Sequence, residues 1–450
     1  MQFATGARLL VAWAMVSLSN APAIGFRHSP TTVALLDVTV IDVTGRGAQP
    51  HQSVLIENGR ISRVVGAKSF RTPAGAQIIE GSGLYLIPGL WDMHTHSGGY
   101  DKAVTAYPQL AAHGILGVRD MGTPLEDIVR IRDALRDGQL VGPRLVFAGP
   151  LFQGPLPFTD PLLWQVARAS DARRMVDSLR VRGVGFIKVG DALPADSWDS
   201  VLVAARNAGL PLAGHVPPSI SVWHATTMGQ ASVEHLGGRY LGVLLGCSTA
   251  EDELRGTIRN VIDSLVAAIR GGREGDDSPV YRAAFTQRLL GTLSPERTKR
   301  LVEMFRLHHT WQVPTLGALP IRGVLADSGR FSAQDRALAA ALIERSMRLV
   351  EQMHRAGVGV MAGTDLSLAP GDLPNELELL VQAGFSPMEA LQSATIQPAR
   401  FLGVSDSLGS VQVGGVADLV LLQANPLADI RNVSRVQAVI RAGVLLRGTR

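Results

Sequence analysis

The chain has 450 residues, 46% of them apolar and 18% charged, with a net charge of +4. This length suits one large domain and a smaller one around a sizeable core, and the basic residues form no long block, which argues against nucleic acid as a partner. Cys247 is the single cysteine, so an intramolecular disulfide is excluded and any metal site must use histidine and carboxylates rather than thiolates.

Residues 1–23 carry Arg8, an apolar run from Leu9 to Leu18, and Ala21-Pro22-Ala23. That is the order of a cleavable secretory signal. The run of about ten residues is too short for a bilayer, which needs roughly 20. The expectation is an exported protein, periplasmic or secreted, with no stable membrane span once the signal is cleaved.

Residues 24–85 are short apolar runs broken by turns. "QSVLIENGRISRVVG" and "AQIIEGSGLYLIPG" combine β-branched residues with Gly, Asn or Asp at their ends, which reads as strands and hairpins. Over residues 86–403 the rhythm changes. "LIPGLWDMHTH", "ILGVRDMG", "RLVFAGP", "GFIKVG", "LAGHVP", "SVEHLG", "QVPTLG" and "GVMAGTD" are short apolar strands separated by helical segments. Alternation of this kind predicts a (β/α)₈ TIM barrel. An insertion at 238–310 falls where a barrel carries its active-site loops and reads as a lid or as an oligomer contact. Its helices are predicted to start at Ser248, with Glu251 three residues on, and at Ser294-Pro295. Residues 404–450 return to strand character, so the N- and C-terminal strands are expected to pair into a small β-sandwich domain beside the barrel.

The polar residues at the strand ends carry the chemistry. Residues i and i+2 of a strand share a face, so His94 and His96 project together at the end of an otherwise apolar segment. Two imidazoles make half of a metal site. Lys188, His215, His235 and Asp365 also close predicted barrel strands. Burying so many polar groups costs several kcal/mol unless they are paired or coordinated. Arg119, Arg239 and Tyr240 follow strand ends too. Either arginine could bind a substrate carboxylate, although a loop-tying pair with Asp120 is the better reading of Arg119. Tyr240 could hydrogen-bond an oxyanion.

With these motifs in this order, and with "ELELLVQAGFSPMEALQSAT" and "LGSVQVGGVADLVLL" beyond them, the chain resembles the amidohydrolase superfamily of metal-dependent hydrolases. Its motifs are most similar to the imidazolonepropionase- and prolidase-like branch. The resemblance implies two divalent metal ions, zinc first. His94, His96 and Asp365 would hold the more buried ion, His215 and His235 the more exposed one. Lys188, N6-carboxylated, would bridge them together with a hydroxide. Asp365 would be general base and then acid. A lysine in an apolar strand has its pKa lowered by desolvation, and only the neutral amine adds CO₂. The function so implied is hydrolysis of C–N bonds in small amides such as dipeptides or N-acyl amino acids. The alternative is a lactone, ester, carbamate or cyclic amide at the same site. A catalytically silent scaffold is disfavoured because all six positions are filled. Large barrels of this kind often associate, so a homo-oligomer is a further expectation for the chain.

Overall fold

The computed structural model describes residues 32–276, 278–327 and 329–447; the expected signal segment, 1–23, lies outside them. The fold is α/β, with one mostly antiparallel sheet and two parallel ones.

The first sheet joins the two ends of the chain. Strands Val33–Ile41, Ala48–Glu57, Arg60–Gly66, Gln77–Glu80 and Tyr85–Pro88 pair with Leu419–Leu422, Val436–Arg441 and Val444–Arg447. The seam is the antiparallel pair Tyr85–Pro88 against Leu419–Leu422, in register from Leu419↔Pro88 to Leu422↔Tyr85. Asn58 and Gly59, both left-handed, make the two-residue turn that "ENGR" predicts. All eight strands belong to one hydrogen-bonded sheet rather than to two. Leu35, Val54, Ile61, Leu86, Leu419 and Ile440, drawn from both halves of that sheet, share one apolar cluster.

Nine parallel strands follow; seven are here numbered β1 (Leu90–Thr95), β2 (Ile115–Asp120), β3 (Arg144–Phe147), β4 (Ile187–Val189), β5 (Leu212–Gly214), β6 (Ser232–Glu234) and β7 (Trp311–Val313), and the short strands Leu151–Gln153 and Leu163–Gln165 pair beside β4. β1 pairs with β2 and β2 with β3; β4 to β7 pair in sequence. Between these two sets, Gly185 N donates to Phe147 O at 2.9 Å. The extended segment 359–362 bridges β7 at Gln312↔Val360, and Met93 N of β1 donates to Ala362 O at 2.9 Å. The backbone bonds thus return to the strand from which they start. Every residue of β1 and β2 is buried, which hides the period-2 alternation.

Helices separate the strands as expected. The longest, Ala333–Arg355, begins at a Ser332–Asp335 capping box and stops just before Gly357, which has φ +81. In the insertion, Ser294 accepts from Arg297 N and starts helix Pro295–Leu307 as predicted. The neighbouring helix instead begins at Glu251, with Ser248 Oγ accepting from Ala250 N in the preceding turn. No helix among the described residues is long and apolar enough to cross a membrane.

Candidate metal centre

β1 ends in His94, Thr95 and His96, with His94 wholly buried and the His96 side chain 30% exposed. Asp365 follows the last parallel segment, and its N–H donates to His94 O at 2.8 Å, which sets its carboxylate between the imidazoles. Asp365 Oδ1 is 3.0 Å from His96 Nε2 and 3.4 Å from His94 Nε2; Oδ2 is 3.4 Å from His235 Nε2. Lys188 Nζ, from β4, is 3.3 Å from His94 Nε2. His215 completes the cluster, its ring centroid 5.3 Å from that of His235. All six strand-end residues singled out in the sequence come together.

The other nitrogen of each imidazole is tied down. His94 Nδ1 is 2.9 Å from Glu234 Oε2, His96 Nδ1 2.7 Å from Gly122 O, His215 Nδ1 2.8 Å from Asp191 Oδ2, and His235 Nδ1 2.6 Å from Thr315 Oγ1. An Nδ1 that donates to these partners would leave each Nε2 as the inward-facing lone pair, the state in which histidine binds a metal. His215 Nε2 is buried and has no hydrogen-bond partner among the described residues. A buried polar atom without a partner calls for a missing one. Ligand atoms of His94, His96 and Asp365 also lie within 4.8 Å of one another. The donor set, nitrogen and carboxylate oxygen without sulfur, fits a divalent ion such as zinc.

Electrostatics favour the same state. Burial above all, then Lys188, holds His94 well below its ordinary value. Burial also pushes His235 down to about 3, despite the opposing pull of Asp365. The Lys188 ammonium is lowered by burial against the attraction of Asp365 and Glu234. Burial alone would raise Asp365, but His235, His96 and Lys188 hold it well below the usual carboxylate range. Burial thus disfavours the charged forms of His94 and His235, while Asp365 stays ionised beside them.

Arg119 is not positioned as a substrate contact. It is wholly buried behind His94, its Nε donating to Met93 O at 2.7 Å and its Nη1 to Ser232 Oγ at 3.0 Å. Nη2 donates to both Glu234 oxygens at 2.9 Å. Its partner is thus Glu234, not Asp120, whose carboxylate instead accepts from Ser97, Gly122 and Thr123. Arg239 is exposed; its backbone N–H donates to Asp191 Oδ1 at 3.1 Å, and its carbonyl accepts from Tyr281 of the insertion at 3.0 Å. Tyr240 is buried in the main apolar core.

The supporting groups Glu234, Asp191, Thr315 and Asp92 escaped sequence reasoning. Glu234 and Asp191 stand beside or just past predicted ligands, in "SVEH" and "IKVGD", and adjacency was their one signal. Asp92 Oδ1 accepts from His94 N and Thr364 N at 3.1 and 3.0 Å, stitching β1 to the segment that bears Asp365. Burial pushes this carboxyl up to about 7 against those bonds. Gly363 permits the approach, since a Cβ there would lie 2.7 Å from His94 Cβ and 2.8 Å from His94 N.

An α/β fold whose strand ends gather histidines, a lysine and an aspartate defines the class of protein. A family model described as the amidohydrolase family matches residues 320–446, which include Asp365. Ochratoxinase of Aspergillus niger is 23% identical over 95% of this chain and 91% of its own length. Imidazolonepropionase of Pseudomonas putida is 24% identical over 86% of this chain and 91% of its own. The crystal structure of a putative prolidase from Bifidobacterium longum superposes with a TM-score of 0.70 at 24% identity, covering 93% of this chain and 96% of that one. Residues 320–446 thus match the amidohydrolase family, and these full-length similarities support the amidohydrolase superfamily for the chain.

Proposed function

We propose that the protein is a metal-dependent hydrolase of C–N bonds in small amides, with dipeptides and N-acyl amino acids as the first substrate class. The observation that carries this is the convergence of four imidazoles, each with its Nδ1 engaged, on Asp365 and Lys188, with His215 Nε2 left without a partner. We read the parallel strands and segment 359–362 as a closed (β/α)₈ barrel within residues 86–403. The hydrogen bonds Gly185 N to Phe147 O and Met93 N to Ala362 O support it. Residues 238–310 would wall the site, since Tyr281 reaches Arg239 beside His235.

His94, His96 and Asp365 would hold one ion, His215 and His235 a second, and Lys188 as its carbamate would sit between them. When bound, the ions supply Lewis acidity, lowering the pKa of water and polarising the scissile carbonyl. The chain's own residues do the rest. Lys188, whose charged form is disfavoured by burial, would attack CO₂ through its neutral amine and shed a proton to give the carbamate. Asp365, held ionised, accepts a proton from the attacking water and delivers it to the leaving nitrogen. Arg239, exposed at the rim, is the remaining candidate for a substrate carboxylate.

A second reading, hydrolysis of a cyclic amide, is supported by the similarity to imidazolonepropionase. The test is a panel of dipeptides, N-acyl amino acids, cyclic amides, lactones and esters offered to the zinc-loaded protein, with amine release followed. Turnover of the linear amides is expected. Turnover confined to lactones or esters would refute the C–N assignment.

A further inference from the structure

We propose that Glu376 is a positioning residue: it holds the bend after β7 in the one conformation that lets Thr315 orient the His235 ring. The inference rests on reading His235 as a metal ligand, and nothing in the hydrolytic chemistry above uses Glu376.

Glu376 lies on helix Asp372–Gln382, which follows the Asp365 segment, and its side chain is buried at 2% exposure. Its Oε1 accepts from Leu316 N at 2.8 Å and its Oε2 from Gly317 N at 2.9 Å. Those are the first two amides of the short 3₁₀ turn Leu316–Ala318, donors that a helical turn leaves without partners at its start. An apolar side chain could fill the same space but would take the partner from both amides, that of Leu316 being buried. A carboxylate there serves the turn itself.

That turn matters because of the residue before it. Thr315 has φ +45 and ψ +56, the left-handed region. For a β-branched residue this is a true outlier, sustained only by its surroundings. Upstream, β7 fixes Val313 against Glu234. Downstream, Glu376 grips both amides and Arg322 Nε donates to Leu316 O at 2.5 Å. Between these clamps Thr315 Oγ1 lies 2.6 Å from His235 Nδ1. His235 itself has φ +53, so its own backbone is bent as well. Relaxing the turn moves the Thr315 hydroxyl away and frees the ring to rotate or change tautomer.

Two readouts test this on the full chain carrying ¹⁵N-labelled histidine. Long-range ¹H–¹⁵N spectra of the metal-free protein report the His235 tautomer, assigned with His235→Asn; zinc loss to a chelator reports ligand quality. Thr315→Val should abolish the preference for Nδ1–H and speed zinc loss by about tenfold. Glu376→Gln, able to accept from one amide only, should shift the same resonances and, added to Thr315→Val, speed zinc loss no further. Glu376→Asp should lie between Gln and wild type, and takes over the test if the Gln variant fails to fold. An unchanged His235 spectrum in the folded Glu376 variants would overturn the proposal, as would additive effects of the two substitutions. If the tautomer shifts while zinc is lost at the wild-type rate, Glu376 positions His235 but His235 is no ligand. That failure belongs to the metal reading alone.

Discussion

At the scale of single residues, the centre is built from pairs, one side chain that could touch a metal and one behind it. His94 depends on Glu234, and Glu234 on Arg119, in a wholly buried chain. Removing one partner of a buried pair typically costs about 3–5 kcal/mol, because the other charge is stranded. Arg119→Met should therefore lower the unfolding free energy by about that amount, measured by urea denaturation, and weaken zinc retention by about 10–100-fold. Arg119→Lys should rescue neither, since an ammonium cannot give the forked contact to both Glu234 oxygens while reaching Met93 O. Stability and zinc retention both at wild-type level in Arg119→Met would show that the buried chain does not support His94. The ligand-type residues are legible in the sequence because each interrupts an apolar run at a strand end. Arg119 misleads because a charged residue at such an end looks like a site residue until its burial is known. Glu234 is hidden by the histidine next to it: neighbouring strand positions face opposite ways in a regular strand, and the left-handed turn at His235 breaks that rule.

At the scale of elements, short strands end where the chemistry begins and caps fix the helices around them. Helix Pro387–Ser393 begins at a Ser386–Glu389 capping box. Glu389 also meets His354 and Arg355 from the end of helix Ala333–Arg355, each at 3.1 Å. Burial pulls this carboxyl up, but Ser386 and His354 hold it at about 2, below the ordinary 4.5. A depressed folded-state value stabilises the fold above the unfolded value and loses that contribution as pH falls from about 4.5 toward 2. Glu389→Gln should accordingly lower the Tm at pH 7 and lower it by clearly less at pH 2.5, where most of the contribution is gone. An equal deficit at both pH values would show that the charge is not the source. The capping box is visible as "SPME", whereas the tie to the distant helix end is not, because no local pattern records which helices pack together. Ser248 shows the same limit: its spacing to Glu251 suits a cap, but the chain makes one more turn before the helix starts.

At the scale of the whole molecule, the terminal sheet is attached to the parallel strands by continuous backbone, by Ile41, Ile87, Val420 and Leu422 packed into the main apolar core, and by one largely buried charge contact. The chain passes from the Tyr85–Pro88 strand through Gly89 directly into β1. Beside that passage Arg144 Nε of β3 donates to Asp418 Oδ2 at 2.6 Å, and Ala442 N donates to Asp418 Oδ1 at 2.8 Å. Asp418→Ala should destabilise the protein by about 2 kcal/mol, below the figure for a fully buried pair because the Arg144 side chain is 28% exposed. If sheet and strands form one cooperative unit, the unfolding transition keeps its steepness; a second transition would show that they unfold separately. The association of the chain's two ends is legible as matching strand character, but not the register of the seam, which depends on contacts across some 330 residues. The central claim is that the six strand-end residues form a two-ion centre bridged through Lys188. It is tested most directly by elemental analysis of the purified protein and of Lys188→Ala, before and after chelation. About two divalent ions per wild-type chain are expected, with metal and amide hydrolysis both falling in the variant. A single ion per chain, retained in full without Lys188, or no metal at all, would contradict it.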